Sequence, residues 1–206
     1  MDTLANAFVT LLIVVDPIGV AWVFAGLTYG QDTAYQRRMA VKGVLLSAAI
    51  LLIFFFLGDL LLGALGIGIP AFRIAGGVLF FLIALDMVFA RQSGLRSTTA
   101  REEAEAELSD DISVFPLAFP LIAGPGAMTT VLMMESSRHA PPLYWGLLGM
   151  LLLVLALSLL ALLAAQALMR ALGETGANVI SRILGLLLAA LAAQYIMDGI
   201  KTGFGV

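Results

Sequence analysis

Six apolar runs of about 20 residues follow one another along this chain, and they constrain its fold more than any other feature. A helix rises about 1.5 Å per residue, so a run of this length crosses a bilayer core of about 30 Å. Hydrophobic residues fill 61% of the 206 positions and charged residues only 12%. We therefore predict an all-α polytopic membrane protein. The predicted spans are residues 4–28, 39–62, 69–90, 112–134, 143–169 and 179–200.

The positive charges are distributed unevenly among the links between these runs. Eight of the eleven Lys and Arg residues lie in or beside the links after spans 1, 3 and 5, and three lie on the opposite side. The positive-inside bias then predicts that these links are cytoplasmic and that both termini are periplasmic, in a bacterial inner membrane. The longest link carries a capping box at Thr99–Glu102, which predicts a short solvated helix. The eight residues are Arg37, Arg38, Lys42, Arg91, Arg96, Arg101, Arg170 and Arg182.

The first run is interrupted at its centre by Asp16-Pro17-Ile18-Gly19. An aspartate at membrane depth costs about 2.5 to 3.5 kcal/mol to insert, and Pro17 removes an amide donor from the helix. A break in lipid survives only where protein or a water-filled cavity satisfies the freed backbone groups. Because proline is favoured at the first helical position, we predict a half-helix that begins at Pro17, with Asp16 as its N-cap.

The fourth run contains a second break, where three prolines and two glycines lie at membrane depth. By the same argument we predict a half-helix that begins at Pro125. Each half-helix would point free amides and a positive dipole end towards the membrane centre. Two such starts form an anion site and Asp16 adds a cation site, so the pair suits a zwitterion. The five residues of the second break are Pro116, Pro120, Gly124, Pro125 and Gly126.

The two halves of the chain resemble each other weakly. Arg73 and Arg182 open spans 3 and 6 at an offset of 109 residues, and Pro17 and Pro125 are 108 apart. A half with three spans must enter the membrane upside down relative to its partner, so this pattern predicts two inverted three-helix repeats. We expect repeats at residues 1–90 and 112–206, joined by a cytoplasmic linker at 91–111.

Two motifs resemble the MarC family of six-span bacterial inner-membrane proteins. The first begins at Asp16-Pro17-Ile18-Gly19 and continues to Thr28, and the second is the long stretch 111–130. The family was named from an antibiotic-resistance locus, and some members are described as transporters of small neutral amino acids such as glycine and alanine. The resemblance therefore implies a transporter of this type, similar in architecture to LysE-type amino-acid exporters. Where the family often has Asn after the first-motif glycine, this chain has Val20.

The residues themselves indicate how such a substrate would bind. Small residues at both breaks let backbones approach closely and leave a small cavity. We expect the substrate carboxylate at the start of the second half-helix and its ammonium at Asp16. Asp16 has two alternative roles, as a proton carrier for coupling or as a structural N-cap without a ligand. The predicted binding residues are Asp16, Pro17, Gly19, Gly124, Pro125, Gly126, Thr129 and Thr130.

Three further polar residues rank lower as site residues. Asp86 near the cytoplasmic end of span 3 gates an inner vestibule or, on the more favoured account, snorkels to the interface or pairs with Arg91. Gln194 and Tyr195 lie deep in span 6 and either face the site or hydrogen-bond between helices.

The leading function is therefore a secondary transporter of small neutral amino acids, with proton coupling slightly favoured over Na⁺. The alternatives are export of another small solute or a drug, divalent-metal transport, and a regulatory membrane protein that transports nothing. The chain has no cysteine and one histidine, His139, and no serine–histidine or paired-aspartate arrangement, so we expect no enzyme, no cofactor and no metal site. No basic patch indicates nucleic acid, and the apolar outer surface permits a homo-oligomer in the bilayer.

Overall fold

The chain folds as a bundle of long helices, and the computed structural model describes residues 2–89, 111–135 and 141–205. Within those ranges there is no strand. Five segments are long and apolar enough to cross a membrane, and a bent helix pair makes a sixth, so the prediction of an all-α polytopic membrane protein is confirmed. The helices are α1 (Asp2–Val15), α2 (Pro17–Leu27), α3 (Thr33–Ala64), α4 (Ile69–Phe89), α5 (Ser113–Ile122), α6 (Pro125–Glu135), α7 (Pro141–Leu163) and α8 (Ala165–Phe204).

The two interrupted spans lie at the centre of the bundle. In the α1–α2 span, Thr3–Leu27, 61% of the residues are buried. In each of the four spans that have no break of this kind, 33% or less are buried. It packs against α6, α7 and α8, and α5 and α6 pack against α3. The outer helices therefore face lipid, and they enclose both breaks.

The second interrupted span is bent by 55° between α5 and α6. Proline disfavours helical backbone in the residue before it, and Phe115 and Phe119, each followed by a proline, are both extended. The turns around them are wide, since Leu117 N–H donates to the Ile112 carbonyl at 3.2 Å and Ala123 N–H donates to the Ala118 carbonyl at 2.8 Å, each five residues earlier. α5 is thus an irregular helix with wide turns that leads to the start of α6.

Helices α4 and α8 form a close antiparallel pair. Their axes approach through small residues, because a side chain added at Gly77 would lie 2.9 Å from the Ala192 carbonyl oxygen, and one at Gly199 would lie 2.9 Å from that of Pro70. Such small-residue contacts are the usual way in which membrane helices pack tightly. The pair fixes α4 against the central spans, where it contacts α6.

The fifth span ends earlier than predicted, whereas the sixth begins where it is predicted. The predicted span 143–169 ends at Leu163, and a turn at Ala164 starts α8. Apolar side chains continue from Leu162 to Ala165, so the sequence carries no signal for this turn. Helix α8 is kinked at Gly173, whose φ of 62° suits glycine, and its membrane-length part, Asn178–Phe204, agrees with the predicted start at residue 179.

Helix α3 begins at Thr33, six residues before the predicted span, because Asp32 caps it by accepting a hydrogen bond from Tyr35 N–H. Span 3 is confirmed at both ends, since α4 covers Ile69–Phe89. The linker prediction for 91–110, with Arg91, Arg96 and Arg101, lies outside the described residues, as does His139.

Candidate functional site

The break in the first span is a single residue, Asp16. Its backbone is left-handed, with φ 44° and ψ 73°, a conformation that aspartate tolerates better than most residues. Gly19 N–H donates to Asp16 Oδ1 at 3.1 Å, and Val20 N–H donates to the Asp16 carbonyl at 3.0 Å. The prediction that α2 begins at Pro17 with Asp16 as its N-cap is confirmed.

The Asp16 carboxylate is enclosed by protein. The residue is 1% exposed, and a methyl group on Gly19 would collide with the carboxylate oxygen Oδ2. A side chain at position 19 would therefore displace the carboxylate from its place over the first turn of α2. The position is also favourable for a negative charge, because the amino-terminal end of a helix carries a partial positive charge.

The second break has the opposite chemistry. Helix α6 begins at Pro125, and the residue before it, Gly124, has no side chain that caps the helix. Met128 N–H donates to the Gly124 carbonyl at 3.0 Å, so the amides of Gly126 and Ala127 lie in the first turn, where a helix has no internal acceptors. Gly124 is itself required, because any side chain there would strike the Pro120 carbonyl.

The start of α6 lies against α1, two residues before the first break. A side chain built at Gly126 would lie 3.0 Å from Cγ1 of Val14, two residues before Asp16, and 2.9 Å from Cδ1 of Ile83 in α4. Gly124 and Gly126 are buried, as are Asp16 and Pro17. The structure thus places the start of α6 against α1 close to Asp16, in a closely packed region lined by apolar side chains.

Tyr195 packs against a residue that borders this region, whereas Gln194 lies on the outer face of α8. The Phe80 ring lies 3.7 Å from a side chain built at Gly126 and packs edge-on against Tyr195, with 5.5 Å between ring centroids. The hydroxyl of Tyr195 is hydrogen-bonded to that of Thr10 in α1, which is 3% exposed. Gln194 is exposed and donates to Asp198 at 2.9 Å on the outer face of α8.

The two threonines that follow the second break differ in availability. Thr130 donates its hydroxyl hydrogen to the Gly126 carbonyl at 2.9 Å, so that donor is used within the helix. Thr129 is 5% exposed and packs against Gly76 of α4 through its methyl carbon. Asp86 lies half-buried, one turn beyond Ile83 along α4. Its predicted partner Arg91 is outside the described residues.

Sequence analysis assigned no role to Asp111, although it opens the second motif. Its carboxylate pairs with Lys42 of α3, and it accepts hydrogen bonds from Ser113 Oγ at 2.5 Å and Ser113 N at 3.0 Å. The Lys42 ammonium, assisted by these bonds, lowers the pKa of Asp111 from 3.8 to about 2. The contact joins α5 to α3 at the entrance to the bent span, next to Gly43, which packs against Leu117.

Among residues 2–89, 111–135 and 141–205, no three His, Cys, Asp or Glu side chains come together in a way that would hold a metal ion. The polar chemistry of the described breaks therefore consists of one buried carboxylate, the first amides of α6 and a few hydroxyl groups.

Comparison with known proteins places the whole chain in one family. Residues 1–204 match the family described as MarC family integral membrane protein. The UPF0056 membrane protein YhcE of Escherichia coli is 38% identical over 94% of this chain and 90% of its own length. YvbG of Bacillus subtilis is 35% identical over 98% and 96%, and MJ1677 of Methanocaldococcus jannaschii is 37% identical over 95% and 94%. No solved structure matches. This chain therefore belongs to the MarC family of integral membrane proteins.

Proposed function

We propose that this protein is a secondary transporter of small neutral amino acids, such as glycine and alanine. The observation that carries the proposal is the buried Asp16 carboxylate at the start of α2, together with the uncapped start of α6, which packs against α1 at Val14, two residues before Asp16. An ionisable group inside a membrane bundle is costly and is usually functional. Broken helices that meet inside the bundle are typical of secondary transporters.

The two helix starts suit the two ends of a zwitterion. The amides of Gly126 and Ala127 would donate to the substrate carboxylate, with assistance from the dipole of α6. The substrate ammonium would bind the Asp16 carboxylate, the buried negative charge at the start of α2. A neutral amino acid would then balance both charges without a further ion.

The packing favours a very small substrate. A side chain built at Gly126 would lie within 3.7 Å of Val14, Ile83 and Phe80, so the region at the start of α6 has little room beyond the backbone. Glycine and alanine add almost no side-chain volume to the ammonium and carboxylate. Drug-sized solutes would have to displace Val14, Phe80 and Ile83, which makes drug export the weaker alternative.

Transport would require the closed region to open to each side in turn. We interpret the two halves as inverted repeats, because α2 and α6 both begin at a proline after a break and α4 and α8 pair antiparallel. Movement of one broken span against the outer helices would expose Asp16 alternately to the two sides. Asp16 is also the group that we assign to proton coupling, since it can bind a proton when the substrate leaves.

The test is counterflow of labelled glycine and alanine in proteoliposomes under imposed pH and Na⁺ gradients. We expect saturable exchange by the wild-type protein, stimulation by a proton gradient, and loss of exchange in Asp16→Asn. Asp198→Asn is the matched control, because it removes a carboxylate from the outer face of α8 and should leave exchange unchanged.

Three outcomes would contradict the proposal. Absence of exchange for either amino acid from folded protein under every gradient would remove amino-acid transport and favour another solute or a regulatory role. Equal exchange by wild type and Asp16→Asn would remove Asp16 from the site. Stimulation by Mn²⁺ or Zn²⁺ gradients alone would instead support the divalent-metal alternative.

A further inference from the structure

A groove of about 1070 Å³ lies along the first turns of α3, away from the two helix breaks. The end of the groove nearest the start of α3 is cationic, and the end further along the helix is apolar. The residues that define this character are Arg37, Arg38, Val41, Lys42, Leu45 and Leu46. Both ends belong to the same helix, so the change from charge to hydrocarbon occurs over about 12 Å along its axis.

The charges of the groove are not balanced within the part of the chain that the structure describes. Lys42 is paired with Asp111, whereas the exposed guanidinium groups of Arg37 and Arg38 form no ion pair in the described ranges. Arginine binds phosphate with two parallel hydrogen bonds, and Arg37 and Arg38 both line this groove. Thus the cationic end favours an anion that carries a phosphate group.

The apolar end requires that this anion also carry hydrocarbon. Arg37, Val41 and Leu45 are four residues apart, so their side chains lie one above the other on one helix face. The exposed apolar surface then continues along α3, with Leu45 65%, Ile53 56% and Leu60 71% exposed. An acidic peptide would match the arginines but not this stripe, whereas a phospholipid matches both.

We propose that this groove binds one anionic glycerophospholipid of the surrounding leaflet. The lipid phosphate lies between Arg37 and Arg38, and one acyl chain follows Val41 and Leu45 into the bilayer. Basic grooves at the ends of membrane helices are a recurrent type of anionic-lipid site. Since the Lys42–Asp111 pair borders the groove, the bound lipid lies beside the contact that joins α5 to α3.

The experiment compares lipids retained by the purified full chain. The protein is placed in nanodiscs of equal parts phosphatidylglycerol and phosphatidylcholine with identical acyl chains, released, and analysed by native mass spectrometry. We expect the wild type to retain phosphatidylglycerol with a preference of about tenfold. Arg37→Gln with Arg38→Gln should reduce this preference to near one.

The matched control is Arg170→Gln with Arg182→Gln, which removes two exposed arginines of α8 outside the groove. This control should retain the wild-type preference, because the site is local rather than a general surface attraction. Val41→Trp keeps both charges and fills the apolar part, so it should lower retention even if the double Gln variant does not fold. Added glycerol phosphate at millimolar concentration should not displace the lipid.

Four results would overturn the proposal. An unchanged preference after Arg37→Gln with Arg38→Gln would show that these arginines do not select the lipid. Equal losses in the groove variant and the α8 control would show a diffuse charge effect. Full retention by Val41→Trp, or displacement by glycerol phosphate, would show that the groove binds no acyl chain.

Discussion

Helix α2 begins with a carboxylate that hydrogen-bonds its own first turn, whereas α6 begins after a glycine that has no side chain to do so. Both helices start with proline, and the start of α6 packs against α1 at Val14, two residues before Asp16. The difference is that the first break brings its own negative charge, whereas the second has amides without a side-chain cap. On the proposed function, two similar breaks would thus bind opposite ends of one small molecule.

The largest effect should come from the Asp16 side chain, because it serves both as cap and as proposed ligand. Asp16→Asn retains an acceptor for Gly19 N–H and tolerates the left-handed backbone, so we expect near-normal stability. Loss of a charged hydrogen bond should weaken amino-acid binding about 10- to 100-fold. Direct binding of labelled glycine to detergent-solubilised protein measures this change.

Asp16→Ala separates the cap from the charge. It removes the acceptor and places alanine at φ 44°, so the free energy of unfolding should fall by about 2 to 3 kcal/mol. Titration with denaturing detergent, followed by circular dichroism, measures the difference from Asp16→Asn. Equal stability of the two variants would contradict the role of Asp16 as an N-cap.

Two glycines of α2 provide a matched pair of substitutions that tests the packing at the start of this helix. Gly19→Ala forces a methyl group into the Asp16 carboxylate, and overpacking of this kind costs about 1 to 3 kcal/mol. Gly26→Ala on the same helix meets no atom within 4 Å and should leave stability equal or slightly higher. Thermal unfolding of both variants in one detergent distinguishes them, and a similar loss in Gly26→Ala would contradict the account.

Substitutions of the two threonines of α6 should have smaller effects on KM, and the two effects should differ from each other. Thr130 already donates to Gly126, so Thr130→Val should change KM for glycine less than about twofold. The hydroxyl of Thr129 is not used in that way, and Thr129→Val should raise KM about fivefold if it assists the substrate carboxylate. Counterflow kinetics of the two variants provide the comparison, and the reverse order would exchange their roles.

The smallest effect should come from Asp111. Its pKa of about 2 lies below the ordinary 3.8, so the stabilisation from Lys42 is present above about pH 4 and is lost only as pH falls through 2. Asp111→Asn should therefore change exchange by the same factor at every pH from 5 to 8, and an exposed pair of this kind contributes at most about 1 kcal/mol. A change in the shape of that pH profile would implicate Asp111 in proton coupling.

The sequence predicted the two breaks because proline restricts both its own backbone and that of the residue before it. It could not predict that Asp16 would adopt a left-handed conformation, since an extended one also satisfies the restriction before Pro17. The contact of Gly126 with Val14 depends on how separate spans pack, which no local pattern encodes. Thr10 was overlooked because one hydroxyl in an apolar run has no distinctive spacing, although it bonds Tyr195.

The central claim is that the substrate ammonium binds Asp16 while its carboxylate binds the start of α6. A cycle that changes the ligand and the residue together tests it directly. Glycolate has a hydroxyl group in place of the ammonium of glycine. The affinities of glycine and glycolate are measured for the wild type and for Asp16→Asn. We predict that wild type prefers glycine by about 10- to 100-fold and that Asp16→Asn binds both nearly equally, because the two changes remove the same contact. Preservation of the full preference for glycine in Asp16→Asn would contradict the claim.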